Sequence, residues 1–443
     1  MTSKLKNKKN IKVNCQLSIV SCRSGQSLIE ILIALAIGAI LIGAASLGIA
    51  FMLRSTSTNQ SLQSAGGLIR ETVEKLRAWS SADWQNVYGL DKGLSTKYFL
   101  NASGTTFSAV EGQEGILEGE VRGDLSGRWG FDEATGTTAY DMSGGNQHGS
   151  FSGTPSRVTS TCKLGNCLSF GGTSGVLVPD ATSTDPTSAW TVSAWIYRTA
   201  TGSVHSIVEK YDNAIGKGNF ALRLTSDNLF IAYVYDGASV NDCGTTETQI
   251  SINTWYHVAA AFDSSANTLV CYVNGTEEAS NASATVNPPA SDLTLKIACK
   301  GDDCSQKFPG TMDDVRLYSR ALSAAEVKRL GQSRMFTRYF SIENTCRSST
   351  ASTTINTSPC GGDYFNDPST QKVTAVVKWP TTQTIAEFRL VEFLTRWKNE
   401  VFRQQDWSGG SGQEGPIAVP NTRFASSTSI DVSSSGIIKI QGL

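Results

Sequence analysis

The chain has 443 residues, of which 40% are hydrophobic and 17% are charged. This composition is typical of folded protein with two or three domains, and it excludes a disordered chain and a multi-span membrane protein. The formal net charge is −1, but residues 1–25 contain six basic residues and no acidic one, so residues 26–443 carry −7 by subtraction. No strongly basic region remains elsewhere, and we expect no nucleic-acid partner.

A long apolar segment follows the basic leader of residues 1–25. It covers residues 28–53 with one acidic interruption, Glu30. At roughly 1.5 Å per residue it would form a helix about 39 Å long, against about 30 Å for the hydrocarbon core of a bilayer. Residues 26–53 are therefore predicted to form one transmembrane helix, with the basic leader in the cytoplasm.

The start of this segment carries a motif. The residues Gly25-Gln26-Ser27-Leu28-Ile29-Glu30 resemble the N-terminal motif of type IV prepilins. The resemblance implies that prepilin peptidase cleaves between Gly25 and Gln26 and that the new N-terminus is methylated. Gln26 replaces the usual phenylalanine of the family, which is more similar to minor pilins than to major ones.

Glu30 is the fifth residue counted from Gln26. A carboxylate in a membrane helix is costly unless a cation compensates it. In pilins the fifth mature residue is a glutamate that pairs with the N-terminal amine of a neighbouring subunit, so the resemblance implies an assembly role for Glu30. The alternative is an acid that reaches the lipid headgroups. The implied partners are other pilin subunits, prepilin peptidase and the inner-membrane assembly machinery.

Residues 54–124 are predicted to hold the amphipathic second half of the helix and a connecting segment. Leu62, Ile69, Val73 and Leu76 recur at helical spacing between polar residues. Such a helix would pack on a β-sheet of its own domain. The pair at 66 and 67, both glycine, favours a kink.

Residues 125–330 are rich in Gly, Ser, Thr and Asp between short alternating apolar runs, which predicts an all-β sandwich. Five blocks in order resemble the laminin-G-like jelly-roll domains of the concanavalin-like lectin and glucanase superfamily. These blocks cover residues 127–133 with 136–141, 168–172, 190–196, 255–259 with 272–275, and 310–318 with 321–327.

Aromatic side chains in these blocks are expected to be structural. Trp129, Trp195, Trp255 and Tyr318 are predicted to lie in the sandwich as buried aromatics and not as sugar platforms. His257 has no partner at metal-ligand spacing, and we expect a structural histidine.

Three acidic residues are candidates for a metal site. By resemblance, Asp132, Asp141 and Asp313 occupy recurring acidic positions near the ends of the domain and could hold a structural Ca²⁺ where the first and last strands meet. The alternative is that they make turn hydrogen bonds. No other cofactor is expected to be required.

Eight cysteines lie beyond the leader. On the oxidising side of a membrane, disulfides are the default for such residues. The spacing suggests the pairs Cys162 with Cys167, Cys299 with Cys304, Cys346 with Cys360, and therefore Cys243 with Cys271. Eight cysteines allow roughly a hundred pairings, and the first two close pairs could instead form a four-thiolate zinc site.

The sequence does not favour an enzyme. Glycoside hydrolysis needs two carboxylates that flank the bond, and the related glucanases place theirs on one strand at alternating positions. No such acidic strand is present, and the nearest acidic cluster, Glu209 to Asp212, departs from that pattern. The sequence also lacks a nucleophile elbow, a phosphate loop and a paired-histidine metal motif.

Residues 331–443 are predicted to form a C-terminal pilin-like β region. Strand-like runs cover 337–342, 372–379 and 387–394, and a Gly/Ser-rich linker after Trp407 precedes a last run at 437–440. The predicted fold class is α+β: a long N-terminal pilin helix and a small antiparallel sheet, with an all-β laminin-G-like jelly roll inserted between them.

Together these features indicate a type IV minor pilin or pseudopilin that displays a lectin-like module for adhesion to a glycan or a cell-surface protein. Before processing, it is expected in the bacterial inner membrane as a single-pass protein with a cytoplasmic N-terminus. After assembly, it is expected in an extracytoplasmic or surface pilus. Two alternatives stay open: a structural pseudopilin of a type II secretion or DNA-uptake system, and a membrane-anchored surface glycosidase.

Overall fold

The computed structural model of the protein describes residues 28–212, 217–301, 304, 306–348, 355–357, 360–361, 364–381, 384–396, 430–431 and 439–440. The helices in these ranges are α1 Leu28–Ala82, α2 Gln85–Tyr88 and α3 Ala324–Gln332, with a 3-10 turn at Thr182–Thr184.

The strands fall into three groups along the chain. Those before the sandwich are β1 Gly93–Ser103, β2 Thr106–Glu111 and β3 Glu114–Leu117. Those of the sandwich are β4 Leu125–Trp129, β5 Thr138–Ala139, β6 Gly149–Ser152, β7 Ser156–Val158, β8 Cys167–Ser169, β9 Gly175–Val178, β10 Ala189–Arg198, β11 His205–Asp212, β12 Lys217–Leu224, β13 Leu229–Tyr235, β14 Val240–Gln249, β15 Trp255–Asp263, β16 Thr268–Val273, β17 Thr276–Asn281, β18 Leu295–Ile297 and β19 Gly310–Tyr318. Those after it are β20 Met335–Arg347, β21 Asn356–Thr357, β22 Phe365–Pro380, β23 Ile385–Thr395, β24 Ile430–Asp431 and β25 Lys439–Ile440.

The chain divides into two units, residues 1–60 and 61–443. In the first unit, the described part of α1 exposes large apolar side chains such as Leu35 (65% exposed) and Leu47 (75% exposed). Among the described residues, no helix combines the length and the apolarity needed to cross a bilayer. The predicted transmembrane segment, 26–53, begins with two residues that lie outside the described set.

In the second unit, α1 packs on a seven-stranded antiparallel sheet, which we label the pilin sheet after the pilin-like β region predicted from the sequence. Its order is β2-β1-β20-β22-β23, and β3 and β21 also pair with β20. Ile69, Val73 and Leu76 of α1 are buried in apolar clusters shared with this sheet, as predicted. Leu62 is 46% exposed, against the prediction, because the buried stripe runs through Ser61 and Ala65, about 60–100° around the helix from it. The helix is continuous through the two glycines at 66 and 67.

The sandwich is inserted within the pilin sheet. Strands β20, β22 and β23 confirm the predicted strand-like runs, but β1, β2 and β3 lie in the part of 54–124 predicted as a connecting segment. Strands β3 and β20 pair antiparallel, with Leu117 opposite Met335. The chain therefore leaves the pilin sheet at β3 and returns at β20, which is three strands later than the predicted point of insertion.

The sandwich consists of two eight-stranded sheets that enclose one apolar core. The first sheet has the order β17-β16-β15-β10-β19-β8-β7, with β4 also paired to β19, and the second has the order β14-β13-β12-β11-β18-β9-β6-β5. Trp129, Trp190 and Phe220 are fully buried between them. The alternation of apolar residues thus produces the predicted jelly-roll sandwich, in which the first and last strands pair through Trp129 and Val315.

The described residues form four disulfides, and they are the same four pairs that the spacing suggested. The bond between Cys243 and Cys271 joins β14 of the second sheet to β16 of the first, through the core. The other three close short segments: Cys162–Cys167, Cys299–Cys304 and Cys346–Cys360. Because these sulfurs are bonded in pairs, the four-thiolate zinc site is not formed.

The outer face of the first sheet is covered by a second, smaller apolar cluster. Its members on the sheet include Trp195, Ala259 and Tyr318. The cover consists of α3 and the residue before it (Leu322, Val327, Leu330), the end of β3 with the segment that follows it (Leu117, Val121), and the loop closed by the Cys162–Cys167 disulfide (Leu164). This face therefore forms part of the interior.

His257 lies on this covered face, with its ring 5.3 Å from the ring of Trp195. It is 2% exposed. Burial lowers the pKa of His257 to about 3, so the imidazole is neutral at physiological pH. The contacts agree with the prediction of a structural histidine.

Buried charged side chains fill the junction between the pilin sheet and the sandwich. Arg338 of β20 forms ion pairs with Glu114 of β3 at 2.7 Å and with Glu71 of α1 at 3.4 Å. The Arg338 side chain is 5% exposed. Helix, insertion point and sheet are thus held together by one guanidinium.

A second group of charges continues the junction into the sandwich. Glu120, in the connecting segment, pairs with Arg316 of β19 at 2.8 Å and with Arg128 of β4 at 3.5 Å. Arg128 also pairs with Asp314 at 2.9 Å. Burial raises the pKa of Glu120, but the arginines outweigh it and bring that pKa to about 2. Glu120 is therefore ionised at any physiological pH.

Replacing Arg338 by methionine is expected to lower the free energy of unfolding by about 3–5 kcal/mol, because Glu114 stays buried without its cation. Denaturant unfolding of the full chain in detergent micelles, followed by tryptophan fluorescence, measures this. The matched control is Arg389→Met, which removes the partner of Glu387 at a site where the arginine is 57% exposed, and it should leave stability unchanged. Equal losses in both variants would contradict the structural role of Arg338.

The stability of the protein should also depend on pH through His257. The folded pKa of about 3 lies below the unfolded value near 6.5, so protons bind the unfolded chain preferentially and stability falls as pH drops through this window. Between pH 7 and pH 5 the loss from this group is about 2 kcal/mol. The His257→Leu variant should lack that part of the loss in denaturant unfolding at the two pH values. An unchanged pH dependence in the variant would contradict the assignment.

Candidate functional site

The residues of the N-terminal motif lie mostly outside the described part of the chain. Gly25 and Gln26 are outside it, and Glu30 lies in α1 with a side chain that is not described. The processing role of the first two and the assembly role of Glu30 therefore stay predictions.

Asp132 holds the loop of residues 163–166, which the Cys162–Cys167 disulfide closes. Its two carboxylate oxygens accept hydrogen bonds from the backbone N–H groups of Asn166 and Gly115, each at 3.0 Å. Gly165 has φ +51°, and a Cβ there would lie 1.9 Å from the Asp132 carboxylate. Only glycine fits this position.

Asp313, on the last strand of the sandwich, accepts hydrogen bonds from the same loop. Its Oδ2 accepts from the backbone N–H groups of Lys163 at 3.0 Å and Leu164 at 2.8 Å. Burial raises the pKa of Asp313, and burial together with the charge of Asp313 raises the pKa of Asp132. The two aspartates thus fix a loop against the junction with the pilin sheet.

Asp141 makes turn hydrogen bonds. Its Oδ1 accepts from the backbone N–H groups of Arg128 and Ser143, and its Oδ2 accepts from the Ser143 hydroxyl and the Gln147 N–H, at 2.8–3.0 Å. This is the alternative that the sequence left open for this residue.

The carboxylates of the three aspartates are engaged in hydrogen bonds. Asp132 and Asp141 use both oxygens to accept from N–H or O–H groups, and Asp313 uses Oδ2. In the described ranges, no group of three or more His, Cys, Asp or Glu residues could hold a metal ion. Structural Ca²⁺ at Asp132, Asp141 and Asp313 stays a prediction of the resemblance alone.

The outer face of the second sheet differs from that of the first, because no apolar cluster of the described residues covers it. The core-facing residues of β12 and β13 are Phe220, Leu222, Leu224, Phe230, Ala232 and Val234. Since side chains alternate along a strand, Arg223, Tyr233 and Tyr235 point outward. Glu209 and Tyr211 of β11 share that face, with Glu209 opposite Ala221 in the register.

The aromatic rings on this face are stacked. The rings of Tyr211 and Tyr235 are 3.7 Å apart and nearly parallel, at 9°, and the ring of Tyr233 lies 5.8 Å from that of Tyr235. The guanidinium of Arg223 lies 5.5 Å from the Tyr233 ring and 5.9 Å from the Tyr211 ring. We call the group Tyr211, Tyr233, Tyr235, Arg223 and Glu209 the tyrosine face.

An ion pair orients the guanidinium between the rings. Arg223 donates to Oε2 of Glu209 from Nε at 3.0 Å and from Nη2 at 2.8 Å. Glu209 is fully buried, and burial raises its pKa against the opposing effect of Arg223. The face therefore combines preorganised aromatic rings with a fixed charged pair.

The separation of two carboxylates, Glu209 and Asp242, can be compared with the separation that glycoside hydrolysis requires. In the register, Glu209, Ala221, Tyr233 and Asp242 stand opposite one another on successive strands. Three strand spacings of about 4.8 Å put Glu209 and Asp242 about 14 Å apart, beyond the ~9.5 Å limit of glycosidase carboxylate pairs. These two residues do not form such a pair.

Sequence reasoning identified Glu209 only as part of an acidic cluster and missed the tyrosines. The signal that could have found them is in β13, where Leu229, Ile231, Tyr233 and Tyr235 alternate with core residues. Apolar or aromatic side chains on both faces of a strand indicate that neither face is simply solvated. Of the aromatic residues predicted to be buried, Trp129, Trp195 and Tyr318 are buried, whereas Trp255 is only partly buried.

Two family models match the chain. The prokaryotic N-terminal methylation motif matches residues 20–46, and the concanavalin A-like lectin/glucanases superfamily matches residues 170–328. No curated protein matches.

Several solved structures are similar to parts of the chain. Domain 4 of AbnA, a GH43 extracellular arabinanase from Geobacillus stearothermophilus in complex with arabinotriose, is 20% identical over 47% of this chain and 98% of that one, with a TM-score of 0.39. The binding domain of Paraclostridial Mosquitocidal Protein 1 is 15% identical over 61% and 76%, with a TM-score of 0.41. The CBM40 of the Ruminococcus gnavus IT-sialidase, bound to alpha2,3 sialyllactose, is 12% identical over 35% and 95%, with a TM-score of 0.31.

The chain thus joins a prokaryotic N-terminal methylation motif to a domain of the concanavalin A-like lectin/glucanase superfamily.

Proposed function

We propose that this protein is a minor subunit of a type IV pilus or pseudopilus, processed between Gly25 and Gln26, that binds carbohydrate through the tyrosine face of its lectin-like module. The observation that carries the proposal is the combination of a methylation motif with a module inserted in the sheet on which the N-terminal helix packs. The expected partners are other pilin subunits, prepilin peptidase and the assembly machinery of the inner membrane.

The packing of α1 supports the subunit role. Its second half, from residue 61, shares apolar clusters with β20 and β22 and belongs to the same folded unit as the module. The module is thus covalently attached, through α1, to the segment that carries the methylation motif. Display on a polymer surface follows from this connection.

The chemistry of the tyrosine face supports carbohydrate as the ligand. A sugar ring presents C–H groups on one face and hydroxyl groups around its edge. Tyr211 and Tyr233, which are partly exposed, offer aromatic surface to the first, and Arg223, whose side chain is 11% exposed, offers charged hydrogen-bond donors to the second. Tyr235 and Glu209 are buried and hold these groups in place. Because the rings are stacked and the ion pair is fixed, little conformational freedom is lost on binding.

The proposal favours binding over catalysis. Glu209 is the buried carboxylate of the face, and its Oε2 already accepts two hydrogen bonds from Arg223. Hydrolysis would need a second carboxylate across the bond. Turnover of an oligosaccharide would therefore contradict the proposal.

Mass spectrometry of the full chain from a host that has prepilin peptidase tests the subunit role. The mature protein is expected to begin at methylated Gln26, and Gly25→Ala should leave the chain uncut. Gly38→Ala is the matched control, since it changes a glycine within the apolar run where a Cβ meets nothing within 4 Å. An uncut wild-type chain, or normal cleavage of Gly25→Ala, would contradict processing at this site.

Binding of the full chain to an array of bacterial and host polysaccharides tests the ligand. Tyr233→Ala and Tyr211→Ala are each expected to weaken binding at least tenfold, because each removes one wall of the aromatic surface; tenfold corresponds to about 1.4 kcal/mol. Tyr211→Phe keeps the ring and should retain most of the affinity.

The control for this experiment is Tyr364→Ala, which removes an exposed tyrosine at the start of β22 in the pilin sheet (38% exposed). It should bind as the wild type does. Thermal unfolding of every variant excludes loss of the fold as the cause. Absence of any polysaccharide ligand for the wild type, or release of reducing sugar that stops in Glu209→Gln, would overturn the proposal.

A further inference from the structure

A small cavity lies where α1, the pilin sheet and the sandwich meet. Its volume is about 70 Å³. Charged side chains from several parts of the chain line it: Lys75 of α1, Glu114 of β3, Glu120 and Arg122 of the segment between β3 and β4, Arg128 of β4 and Arg338 of β20. Four cations and two carboxylates thus converge on one space.

The cavity has a buried floor and an exposed rim. The side chains of Arg128 and Arg338 are 3% and 5% exposed. Those of Lys75 and Arg122 are 25% and 59% exposed. The lining therefore leads from solvent to two buried guanidinium groups.

The charges around the cavity do not balance. Ion pairs connect the lining groups to three further residues, Glu71, Asp314 and Arg316. The connected group then has five cations, Lys75, Arg122, Arg128, Arg316 and Arg338, against four carboxylates, Glu71, Glu114, Glu120 and Asp314. Within this group of described residues, one positive charge has no counter-charge.

Two further acids, Asp132 and Asp313, interact with Arg128 but do not restore the balance. Burial raises the pKa of both, which favours their neutral forms.

A buried donor at the cavity also lacks an acceptor. Within the described part of the chain, Nη1 of Arg338 has no hydrogen-bond partner. Its ion-pair contact with Oε1 of Glu71 spans 3.4 Å, which is longer than an ordinary N–H···O bond. Buried polar groups are nearly always satisfied by protein or by a bound water or ion. The cavity is the space from which such a partner can reach Arg338.

Volume and charge together favour a small tetrahedral oxyanion. A water molecule needs roughly 10–15 Å³ of such a cavity, so this one holds roughly five atoms of that size. Phosphate and sulfate have about this size and carry negative charge, and guanidinium groups bind their oxygens in a bidentate manner. A metal cation would instead meet the excess of positive charge.

We propose that the cavity binds a free inorganic oxyanion, phosphate or sulfate, between Lys75, Arg122, Arg128 and Arg338. The ion supplies the counter-charge and the acceptor for Arg338. Because these four residues belong to different elements, the ion also joins the pilin sheet to the sandwich. The inference is independent of the carbohydrate ligand, since β4 belongs to the first sheet of the sandwich and the tyrosine face to the second.

Isothermal titration calorimetry of the full chain in micelles of an uncharged detergent, with phosphate as the titrant at constant ionic strength, tests the proposal. The wild type is expected to bind phosphate saturably, with a dissociation constant below about 1 mM. Arg122→Met removes a cation from the rim and should weaken binding at least tenfold. Glu120 keeps Arg316 as its partner in this variant, so the fold should be retained.

A second variant tests the location of the ion without changing any charge. Ala102 lines the cavity, and Ala102→Leu places a larger side chain on its wall. This variant should also weaken binding at least tenfold. The matched control is Arg389→Met, which removes an arginine of similar exposure, 57% against 59% for Arg122, that does not line the cavity. It should bind as the wild type does, and thermal unfolding confirms the fold of each variant.

Four outcomes would overturn the proposal. Absence of saturable binding to the wild type would mean that the cavity holds water only. Equal losses in Arg122→Met and Arg389→Met would mean that surface charge in general attracts the ion. Unchanged binding by a folded Ala102→Leu would place the ion outside the cavity. Tighter binding of glycerol phosphate than of phosphate would assign the site to a phosphate ester and not to the free ion.

Discussion

The pairing of β3 with β20 is the constraint on which the architecture depends. It places Leu117, where the chain leaves the pilin sheet, directly opposite Met335, where it returns. The first and last strands of the sandwich, β4 and β19, also pair with each other. The module is therefore inserted where β3 pairs with β20, and its own first and last strands, β4 and β19, form a second pair next to that point. Closure of such a long insertion adds little entropic cost, because that cost grows only with the logarithm of loop length.

The charges at this junction specify position more than they add stability. Arg338, Arg128 and Arg316 are buried, and each is matched by at least one carboxylate from a different element. Removing such charges from water offsets most of their mutual attraction, so an apolar junction of the same volume could be as stable. An apolar junction, however, would allow the module to shift relative to the pilin sheet. Directional ion pairs among α1, β3, β4, β19 and β20 fit one arrangement of module and sheet.

Local patterns in the sequence predicted the helices and strands. Features that depend on contacts between residues far apart in the sequence could not be predicted from such patterns. The spacing of Ile69, Val73 and Leu76 predicted the buried stripe of α1, and alternating runs predicted the sandwich. The acidic positions Asp132 and Asp313 suggested a cation, but their hydrogen-bond donors come from the backbone of residues 115 and 163–166, which no local pattern indicates. The strands β1 and β3 were missed because their pairing partner, β20, lies beyond the inserted module, and β2 joins the sheet only through β1.

Contacts between residues far apart in the sequence also decide which outer face of the sandwich is left uncovered. Both outer faces carry aromatic side chains, Trp195 on the first sheet and Tyr233 on the second. The first is covered by α3 and by the connecting segment at Leu117 and Val121, the elements that attach the module to the pilin sheet. Attachment thus removes one face from solvent and leaves the opposite one. On the proposed function, a ligand on the tyrosine face would not compete with the contacts that hold the module.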